Sequence, residues 1–307
     1  MPLARYILDH RNDLTFPFKR YQMQPVWRGE RTKRGRFKEF RQFDADVTRP
    51  SDSNVGVRYD VETVAVMSKV MAAVCREFNV TINTVLKISH IGLTKSFLAS
   101  FKLDEETINQ VLNLLDNYYK ADHATFVEKL SAVVPNNVCD AIYKLIETKD
   151  IDLMKGYERY EDMNAILNGL KGLNVPYEYD ICIVRGHNYY RGMVCEWFEK
   201  EDVSFGSLAA GGRYDNITDF IDKKQSFSGV GTSLGRFMYL AIEKIGELLP
   251  QESYMFVNFE DTLPDVLALY NRFLSAGKIV DLYPTAAKIG KQFEYADKKG
   301  VTHVVVL

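Results

Sequence analysis

Basic side chains crowd one short segment near the start of this chain. Between Arg28 and Arg41 there are seven Arg or Lys residues and two acids, a local charge of about +5 in a protein whose net charge is −2. Like charges at this density repel one another unless an anion neutralises them. The segment therefore suggests binding of a phosphate chain or a nucleic acid. A solvated basic hairpin without a ligand is the alternative.

Three side chains in this segment have the chemistry to bind a nucleotide. Arg28 ends an apolar stretch, where a guanidinium can meet a phosphate through two parallel hydrogen bonds. Glu30 could accept a hydrogen bond from an amino group such as the exocyclic amine of a purine. Phe40 offers an aromatic face for stacking. Together these residue types fit a ligand that combines phosphate with a purine.

A second polar cluster lies between Val184 and Trp197. Residues 185–192 include two arginines, two glycines and two tyrosines, and an apolar stretch follows them. Polar residues that lead into a buried strand suit a binding loop at the end of that strand. A turn before a strand, with its tyrosines half buried, is the simpler interpretation of this segment taken alone.

Two glycine-rich segments complete the candidate sites. Residues 206–215 (GSLAAGGRYD) contain a glycine pair, which lets a ligand or another backbone approach closely, although such a pair usually marks a bend. Residues 229–236 (GVGTSLGR) alternate glycine with small or apolar residues before a helix and could form a phosphate-binding turn. Their spacing matches neither the P-loop nor the dinucleotide fingerprint.

The histidines, the cysteines and the overall charge narrow the function classes. The five histidines have no metal-ligand spacing, and His187 alone lies in a segment described above. The four cysteines include no C-x-x-C pair, so we expect free thiols in a reducing compartment and no metal site. No apolar run approaches the ~20 residues of a membrane span, and no signal pattern opens the chain. We expect a cytoplasmic protein without a membrane partner.

The hydrophobic pattern predicts the elements that position these segments. Residues 16–28 and 40–48 alternate as two strands of a long hairpin, with Gly35 available for the turn. The other expected elements are a helix at about 60–77, a strand at 80–90, helices throughout 92–172, strands at 178–198 and 203–211, a helix near 214, and a strand followed by a helix over 226–247.

The last 55 residues alternate between strand and helix patterns. The expected strands are 253–258, 278–283 and 301–307, and the expected helices are 263–276 and 286–299. This alternation predicts a small parallel α/β unit. Because the sequence stops on the apolar strand Val304–Leu307, truncation of a longer chain is expected.

The four segments together resemble histidyl-tRNA synthetase, a class II aminoacyl-tRNA synthetase. Arg28 to Phe40 resembles class II motif 2, and Val184 to Tyr190 resembles the Arg-Gly-Leu-Asp-Tyr-Tyr signature of the family. Residues 210–215 resemble its Gly-Gly-Arg-Tyr-Asp signature, residues 229–235 resemble motif 3, and residues 288–296 resemble the anticodon-binding domain. Their order and co-occurrence are far more specific than any one of them.

The resemblance implies a mixed α/β (α+β) fold. Residues 1–91 and 173–249 would form a class II catalytic domain on an antiparallel sheet, interrupted by a helical insertion at 92–172. Residues 250–307 would be a partial α/β anticodon-binding domain. The implied activity is that of an aminoacyl-tRNA ligase, which uses ATP and Mg²⁺ to form histidyl-adenylate and then charges tRNA(His). The full-length form is expected to be a homodimer.

The resemblance also assigns nucleotide-binding roles. Arg28 would hold the α-phosphate of ATP, Glu30 would contact the adenine amine and Phe40 would stack on adenine. Arg36 and Phe37 would close the loop over the adenylate and the acceptor end.

The histidine site follows from the same comparison. Gln42 would contact the α-amino group or carboxylate of the substrate. Asp46 and Tyr190 would bind its imidazole, and Tyr189 and Tyr214 would line the pocket. Paired hydrogen-bond partners of this kind can discriminate strongly between amino acids.

Arg185 is the second residue, with Arg28, to which the resemblance gives a catalytic role. It would also contact histidine and would stabilise charge as the carboxylate attacks the α-phosphate. In-line attack on a phosphate needs fixed positive charge more than it needs an acid or a base.

The chain departs from the family pattern in places. Motif 1 is not found, and residues 1–6 resemble the sequence that follows the family's Asp-Leu-Thr element. His187 and Asn188 stand where the signature has Leu and Asp. Met238 stands where motif 3 has the arginine that holds the γ-phosphate. Arg236 lies two residues earlier, which on a helix turns a side chain by about 200°, so it is not expected to substitute.

Two other functions remain open from the sequence. A non-catalytic paralogue, such as the histidine-sensing regulatory subunit of ATP phosphoribosyltransferase, would explain Met238 and Asn188. A generic RNA-binding module would explain the basic loop but not the histidine signatures. The basic loop and the C-terminal segment favour the enzyme.

Overall fold

The computed structural model describes residues 2–51, 56–184, 190–222, 224–248 and 252–307. The chain divides into two compact units, Met1–Glu243 and Lys244–Leu307. The four candidate segments of the sequence, residues 28–41, 184–197, 206–215 and 229–236, all belong to the first unit. The sheet of this unit positions those parts of them that the structure describes.

The predicted hairpin is present. Strand β1 (Phe18–Trp27) pairs antiparallel with strand β2 (Glu39–Pro50), in a register that runs from Phe18 opposite Thr48 to Trp27 opposite Glu39. The basic residues between the strands form a second, smaller hairpin. In it the backbone groups of Lys33 and Arg36 bond to each other at 3.0 and 2.8 Å. Gly35 makes this turn possible because its φ of +67° is strained for any residue with a Cβ.

The first unit is built on a seven-stranded sheet in the order β1-β2-β7-β6-β5-β3-β4. All neighbouring strands are antiparallel except β3 and β4, which are parallel. The remaining strands are β3 (Thr84–His90), β4 (Glu178–Tyr179), β5 (Met193–Glu199), β6 (Ala209–Tyr214) and β7 (Phe227–Leu234). The antiparallel majority agrees with the predicted mixed fold.

Helices pack against this sheet and occupy the interval predicted to be helical. Their bounds in the first unit are α1 (Pro2–His10), α2 (Arg58–Glu77), α3 (Ile91–Ala99), α4 (Glu105–Asp116), α5 (His123–Val133), α6 (Asn136–Thr148) and α7 (Tyr160–Gly172), and α8 (Arg236–Leu248) begins there. Two of the starts are fixed by aspartates: Asp104 accepts from the Thr107 amide at 2.8 Å, and Asp122 accepts from the Thr125 amide at 2.9 Å. Such caps satisfy amides that have no partner inside the helix.

Parts of the strands expected at 178–198 and 203–211 are not strand: residues 180–184 and 190–192 lie outside the strands, and Val203–Phe205 forms a short 3-10 helix. A helix was expected near residue 214, but β6 runs through Tyr214 and the residues after it form turns. Asn216 adopts a left-handed φ of 57°, which cannot continue a right-handed helix. The Ile217 amide then bonds to the Phe227 carbonyl at 2.8 Å, so the segment folds back to start β7.

The second unit has the predicted α/β alternation. Its strands are β8 (Ser253–Phe256), β9 (Ile279–Leu282) and β10 (His303–Val305), and its further helices are α9 (Leu263–Ser275) and α10 (Ile289–Lys299). The sheet order is β10-β8-β9 and both pairings are parallel. Gln292 is fully buried and exchanges hydrogen bonds with the backbone of Asn258 at 2.8 and 2.9 Å, which ties α10 to the end of β8.

No helix in the described part of the chain is long and apolar enough to cross a membrane.

Candidate active site

The predicted nucleotide-binding residues line one cleft of about 620 Å³ on a face of the seven-stranded sheet. All six hairpin residues singled out for ATP or the substrate's main-chain groups lie there: Arg28, Glu30, Arg36, Phe37, Phe40 and Gln42. The floor includes Ala210 of β6 and Ser233 of β7. The antiparallel ladder brings these strands together although they are far apart in sequence.

Arg28 and Phe40 face each other across the mouth of the hairpin. The Arg28 guanidinium carbon lies 5.1 Å from the centre of the Phe40 ring, a cation–π contact. Its Nη2 also donates a 3.1 Å hydrogen bond to Gln42 Oε1. The arginine is thus held in place on one side and still borders the cleft.

The basic loop is fastened to the opposite wall of the cleft. Gly35 packs so closely against the Phe205 ring that a Cβ at this position would overlap it. Arg34 donates to Glu243 of α8 at 2.9 Å, and the rings of Phe37 and Tyr239 lie 5.0 Å apart. The loop therefore has a defined place over the cleft in this structure.

Charge within the cleft is mostly basic. Glu30 pairs with Arg36 at 2.9 Å, and Asp116 pairs with Lys120 at 3.0 Å. Five basic and three acidic side chains among the described residues line it: Arg28, Lys33, Arg36, Lys120, Arg236, Glu30, Asp116 and Glu196. This excess of positive charge suits an anionic ligand.

Asp46 and Tyr214, two of the predicted histidine-binding residues, are hydrogen-bonded to each other. The Tyr214 hydroxyl donates to Asp46 Oδ1 at 2.8 Å, and Arg20 pairs with Oδ2 at 2.7 Å. Burial raises the pKa of the Asp46 carboxyl, while Arg20 and Tyr214 act to lower it. The two donors therefore favour the ionised form of the Asp46 carboxyl, which could accept a hydrogen bond from a ligand.

Glycines make room for this second cluster. A Cβ at Gly231 would overlap the Asp46 carboxylate, and a Cβ at Gly229 would overlap the Tyr214 ring. A Cβ at Gly212 would lie 2.8 Å from a ring carbon of Tyr190, the third predicted residue. Gly212, Gly229 and Gly231 are thus the positions at which the side chains of Tyr190, Tyr214 and Asp46 lie directly against the backbone of the sheet.

Asp44 lies between the two clusters on β2. It accepts from Gln42 at 2.7 Å, from Gln22 at 3.1 Å and from the Ser233 hydroxyl. Since Gln42, Asp44 and Asp46 alternate along β2, they share one face of the sheet. The nucleotide-side cleft and the Asp46 cluster are therefore neighbours on the same face.

Arg185 and Tyr189 lie outside the described residues. The chain that leads to them is well anchored, because buried Asp180 accepts from the Cys182 amide at 3.0 Å. Asp180 also pairs with Lys87 at 3.3 Å and accepts from the Tyr119 hydroxyl. Tyr119, from the segment after α4, lines the cleft as well.

Several residues of this site were not found from the sequence. Asp44 and Ser233 carry a signal, since Asp44 alternates with Gln42 and Asp46 along β2 and Ser233 lies within the glycine-rich segment 229–236. Arg20 and Tyr119 carry none, because only the strand register and the helical packing bring them to the site. In the described part of the chain, no three His, Cys, Asp or Glu side chains form a metal-binding group.

The sequence of this chain is similar to those of known proteins from one family. The sequence model of the family described as histidyl-tRNA synthetase matches residues 2–236. A histidine–tRNA ligase of Bacteroides fragilis is 33% identical over 325 residues, covering 100% of this chain and 70% of that protein. One from Christiangramia forsetii is 30% identical over 339 residues, with the same coverage.

Solved structures agree on the fold. The histidyl-tRNA synthetase from Nostoc sp. PCC 7120 superimposes with a TM-score of 0.65 at 27% identity, covering 100% of this chain and 74% of that one. A protein from Bacillus halodurans, described as an ATP phosphoribosyltransferase regulatory subunit/histidyl-tRNA synthetase, has a TM-score of 0.64 at 17% identity, covering 99% and 77%. The predicted class II fold is confirmed, and the chain belongs to the histidyl-tRNA synthetase family.

Proposed function

We propose that this protein is a histidine–tRNA ligase, which activates histidine with ATP and transfers it to tRNA(His). The observation that carries the proposal is the arrangement on one sheet face. Arg28 lies over Phe40 in a basic cleft, and the Asp46–Tyr214 pair lies farther along β2 on the same face of the sheet, with Asp44 between them. An adenylate-forming enzyme needs these two sites to be adjacent, because its two substrates react with each other.

The cleft would bind ATP. Arg28 would hold the α-phosphate and Phe40 would stack on adenine, which fits their contact across the mouth of the hairpin. Glu30 would accept from the adenine amine. Arg36, which now pairs with Glu30, and Phe37, which contacts Tyr239, would cover the bound nucleotide.

The second cluster would bind histidine. Asp46 would accept a hydrogen bond from an imidazole N–H, and Tyr190, Tyr189 and Tyr214 would enclose the ring. Gln42 would meet the α-amino group or the carboxylate. Because Gln42 also contacts Arg28, it would place the substrate carboxylate close to the α-phosphate.

The reaction then follows from position and charge. An oxygen of the histidine carboxylate attacks the α-phosphorus, the bond from phosphorus to the β-phosphate oxygen breaks, and pyrophosphate leaves. Arg28 and Arg185 would stabilise the negative charge that develops on the phosphoryl oxygens. In the second step a hydroxyl of the tRNA 3′ end attacks the histidyl carbonyl and AMP leaves.

Magnesium fits this cleft in a supporting role. Mg²⁺ commonly uses one or two carboxylates together with substrate phosphates. Among the described residues, three carboxylates line the cleft, those of Glu30, Asp116 and Glu196. Glu196, on strand β5 in the floor of the cleft, would supply a carboxylate oxygen. When bound, the ion would neutralise phosphate charge.

Different parts of the chain would have different functions. Residues 1–91 and 173–249 would form the catalytic domain and 92–172 a helical insertion. Residues 250–307 would be part of the anticodon-binding domain. The basic loop, which carries several cations beyond those in the cleft, would approach the acceptor end of tRNA(His).

The decisive measurement is histidine-dependent ATP–pyrophosphate exchange, followed by charging of tRNA(His). Arg28→Ala should lower the exchange rate by roughly 10²–10³-fold, as loss of one transition-state donor does, while histidine binding persists. Asp46→Asn should abolish histidine binding and leave ATP binding intact. Arg31→Ala is the control, because it removes the same charge from the same loop but does not line the cleft. Equal effects of R28A and R31A would contradict the proposal.

Arg185→Ala separates catalysis from binding. It should abolish exchange and leave histidine affinity nearly unchanged, whereas equal loss of both would make Arg185 a structural residue.

One observation favours a second function. Met238 stands where motif 3 carries its arginine, which suits a paralogue that binds histidine as a sensor without activating it. A protein that binds histidine but gives no exchange, with ATP and Mg²⁺ present, would establish the sensor and exclude the ligase.

A further inference from the structure

The carboxylate of Asp44 is held in one position by three strands. It lies directly opposite Gln22 of β1 and Ser233 of β7 in the strand register, and both side chains donate to it. Gln42, two residues earlier on β2, is the third donor. Asp44 is 8% exposed and does not belong to the described lining of the cleft, whereas Gln42 and Ser233 do. The carboxylate therefore acts on the cleft only through its neighbours.

Two unlike neighbours set the orientation of the Gln42 amide. Its Nε2 donates to Asp44 Oδ1 at 2.7 Å, and its Oε1 accepts from Arg28 Nη2 at 3.1 Å. An ionised carboxylate only accepts hydrogen bonds, and a guanidinium only donates them. Turning the amide over would oppose two acceptors at Asp44 and two donors at Arg28. The buried carboxylate therefore fixes which end of the amide faces Arg28.

The Arg28 side chain depends on such a partner for its direction. The backbone of Arg28 is fixed, because its amide bonds to the Lys38 carbonyl at 2.8 Å. The residue is exposed, and a long exposed side chain has many rotamers. The Phe40 ring, 5.1 Å from the guanidinium carbon, supports its plane, and the Gln42 hydrogen bond adds direction. This bond uses one of the five N–H donors, so the others can still meet a phosphate.

We propose that Asp44 is a positioning residue for Arg28 and acts through the Gln42 amide. The proposal rests on the assignment of Arg28 to the phosphate next to the ribose, and it adds the buried anion that orients this arginine before the nucleotide binds. Asparagine in place of Asp44 can donate as well as accept. The Gln42 amide would then be able to turn over, and Arg28 would lose its fixed acceptor.

Titration calorimetry with AMP, on the whole protein without histidine, tests this link. Gln42 then has no substrate to contact, so its variants report on Arg28. Asp44→Asn should weaken AMP binding roughly three- to tenfold, the cost of ordering one mobile side chain. Gln42→Leu should have the same effect, and it tests the link with Asp44 in place should D44N fail to fold. Gln22→Ala is the matched control: it removes a donor from the same carboxylate but leaves the Gln42–Arg28 bond, so AMP affinity should stay within about twofold.

A double variant distinguishes positioning from a general structural role. Arg28→Ala alone should weaken AMP binding more than D44N does. R28A/D44N should bind AMP as R28A does, within about twofold, because Asp44 then has no arginine to orient. A structural role would instead add the D44N loss to the R28A loss, and additive losses would overturn the inference. Wild-type affinity in D44N, or equal losses in D44N and Q22A, would overturn it too, as would a wild-type protein that does not bind AMP at millimolar concentration.

Pyrophosphate exchange separates this inference from the proposed function. A wild-type protein without exchange, in which D44N and R28A still show coupled losses of AMP affinity, would reject the ligase and keep the role of Asp44. A wild-type protein with exchange, in which the two losses are additive, would keep the ligase and reject the positioning role.

Discussion

The hydroxyl of Tyr214 reaches Asp46 across an intervening strand. Tyr214 ends β6 and Asp46 lies in β2, with β7 between them, yet the two side chains are 2.8 Å apart. Next-nearest strands are roughly 9–10 Å apart, so the space above β7 must be empty. Gly229 and Gly231 of β7 provide that space. The hydrogen bond therefore depends on two residues that have no side chain.

Removing this hydroxyl should weaken histidine binding. Tyr214→Phe leaves the ring but deletes a donor that acts to lower the pKa of the Asp46 carboxyl. The pKa of Asp46 should rise further, so the variant should lose histidine affinity at a higher pH than the wild type as the pH is lowered. At neutral pH the loss should be about tenfold, typical for a hydrogen bond to a charged group. Calorimetric titration with histidine from pH 5 to 8 measures both effects.

Tyr21→Phe provides the control for that experiment. Tyr21 lies on β1 with 79% of its surface exposed. Its loss of a hydroxyl should change neither the affinity nor its pH profile. An unchanged profile in Y214F would show that the hydroxyl does not control Asp46.

The position of the basic loop should depend on Gly35. Gly35→Ala would place a Cβ into the Phe205 ring and strain a φ of +67°. The loop should then leave the wall of the cleft, and the KM for ATP should rise severalfold while the KM for histidine stays constant. Exchange kinetics at varied ATP measure this.

Gly29→Ala tests whether any glycine change in the loop has that effect. No atom lies within 4 Å of a Cβ at Gly29, so G29A should behave like the wild type. The double variant G35A/F205A removes the collision and should recover part of the ATP affinity. Failure to recover would assign the whole effect to backbone strain at Gly35.

His90 should make the fold sensitive to acid. Its Nδ1 accepts from the Leu93 amide at 3.2 Å as the cap of α3, so protonation of Nδ1 would break this bond. Burial lowers the pKa of His90 from 6.5 to about 4, and nearby Asp162 opposes this shift only in part. Between these values the unfolded chain holds the proton and the folded chain does not. The free energy of unfolding should therefore fall as the pH drops from 6.5 toward 4, by about 3 kcal/mol in all.

His90→Asn isolates this contribution. Asparagine can cap the helix but does not titrate, so urea unfolding of H90N should lose the His90 share of the slope over that range. The measured quantity is the difference between the wild-type and H90N free energies at each pH. A difference that stays constant from pH 4 to 6.5 would contradict the prediction.

Removing one partner of the buried Lys87–Asp180 ion pair should lower the free energy of unfolding substantially. The side chains are 8% and 1% exposed, and the Lys87 ammonium lies 3.8 Å from the centre of the Tyr119 ring. Lys87→Met would leave the Asp180 carboxylate without its cation and should lower the free energy of unfolding by about 3–5 kcal/mol. Urea denaturation measures this loss.

Two further variants bound that result. In K87M/D180N both charges are gone, and stability should be recovered in part relative to K87M. Lys19→Met breaks a pair with Glu62 in which the side chains are 51% and 37% exposed, so its effect should be about 0–1 kcal/mol. Losses in K87M and K19M of the same size would show that burial of the pair does not matter.

Local patterns were sufficient for much of the fold. The alternation of β1 and β2 and the aspartate-capped helices after β3 follow from spacing that a few neighbouring residues define. The helix expected near residue 214 failed because a left-handed Asn216 and a backbone pairing to Phe227 override the apolar spacing there. Patterns among a few neighbouring residues do not reveal that pairing, because its two partners are separated in sequence.

The same distinction between local and long-range contacts applies to the residues of the site. Arg28, Phe40 and Gln42 belong to one hairpin, so their meeting was predictable from the strand pattern. Tyr119 and Asp180 are 61 residues apart and meet only because the helical segment packs beside β3. Arg236 lines the cleft and Met238 packs against the core, so the two side chains point in different directions, as their two-residue spacing predicted.

The glycines at 212, 229 and 231 have a consequence for changing what this protein accepts. The side chains of Asp46, Tyr214 and Tyr190 lie directly over these glycines. The floor that they form therefore rests on backbone in the middle of a sheet and cannot yield by a change of rotamer as a pocket wall can. Ligands that carry an extra substituent toward this floor would be excluded by strands that are fixed from both sides. Attempts to engineer a broader amino-acid range should therefore leave the sheet untouched and alter the movable walls around it.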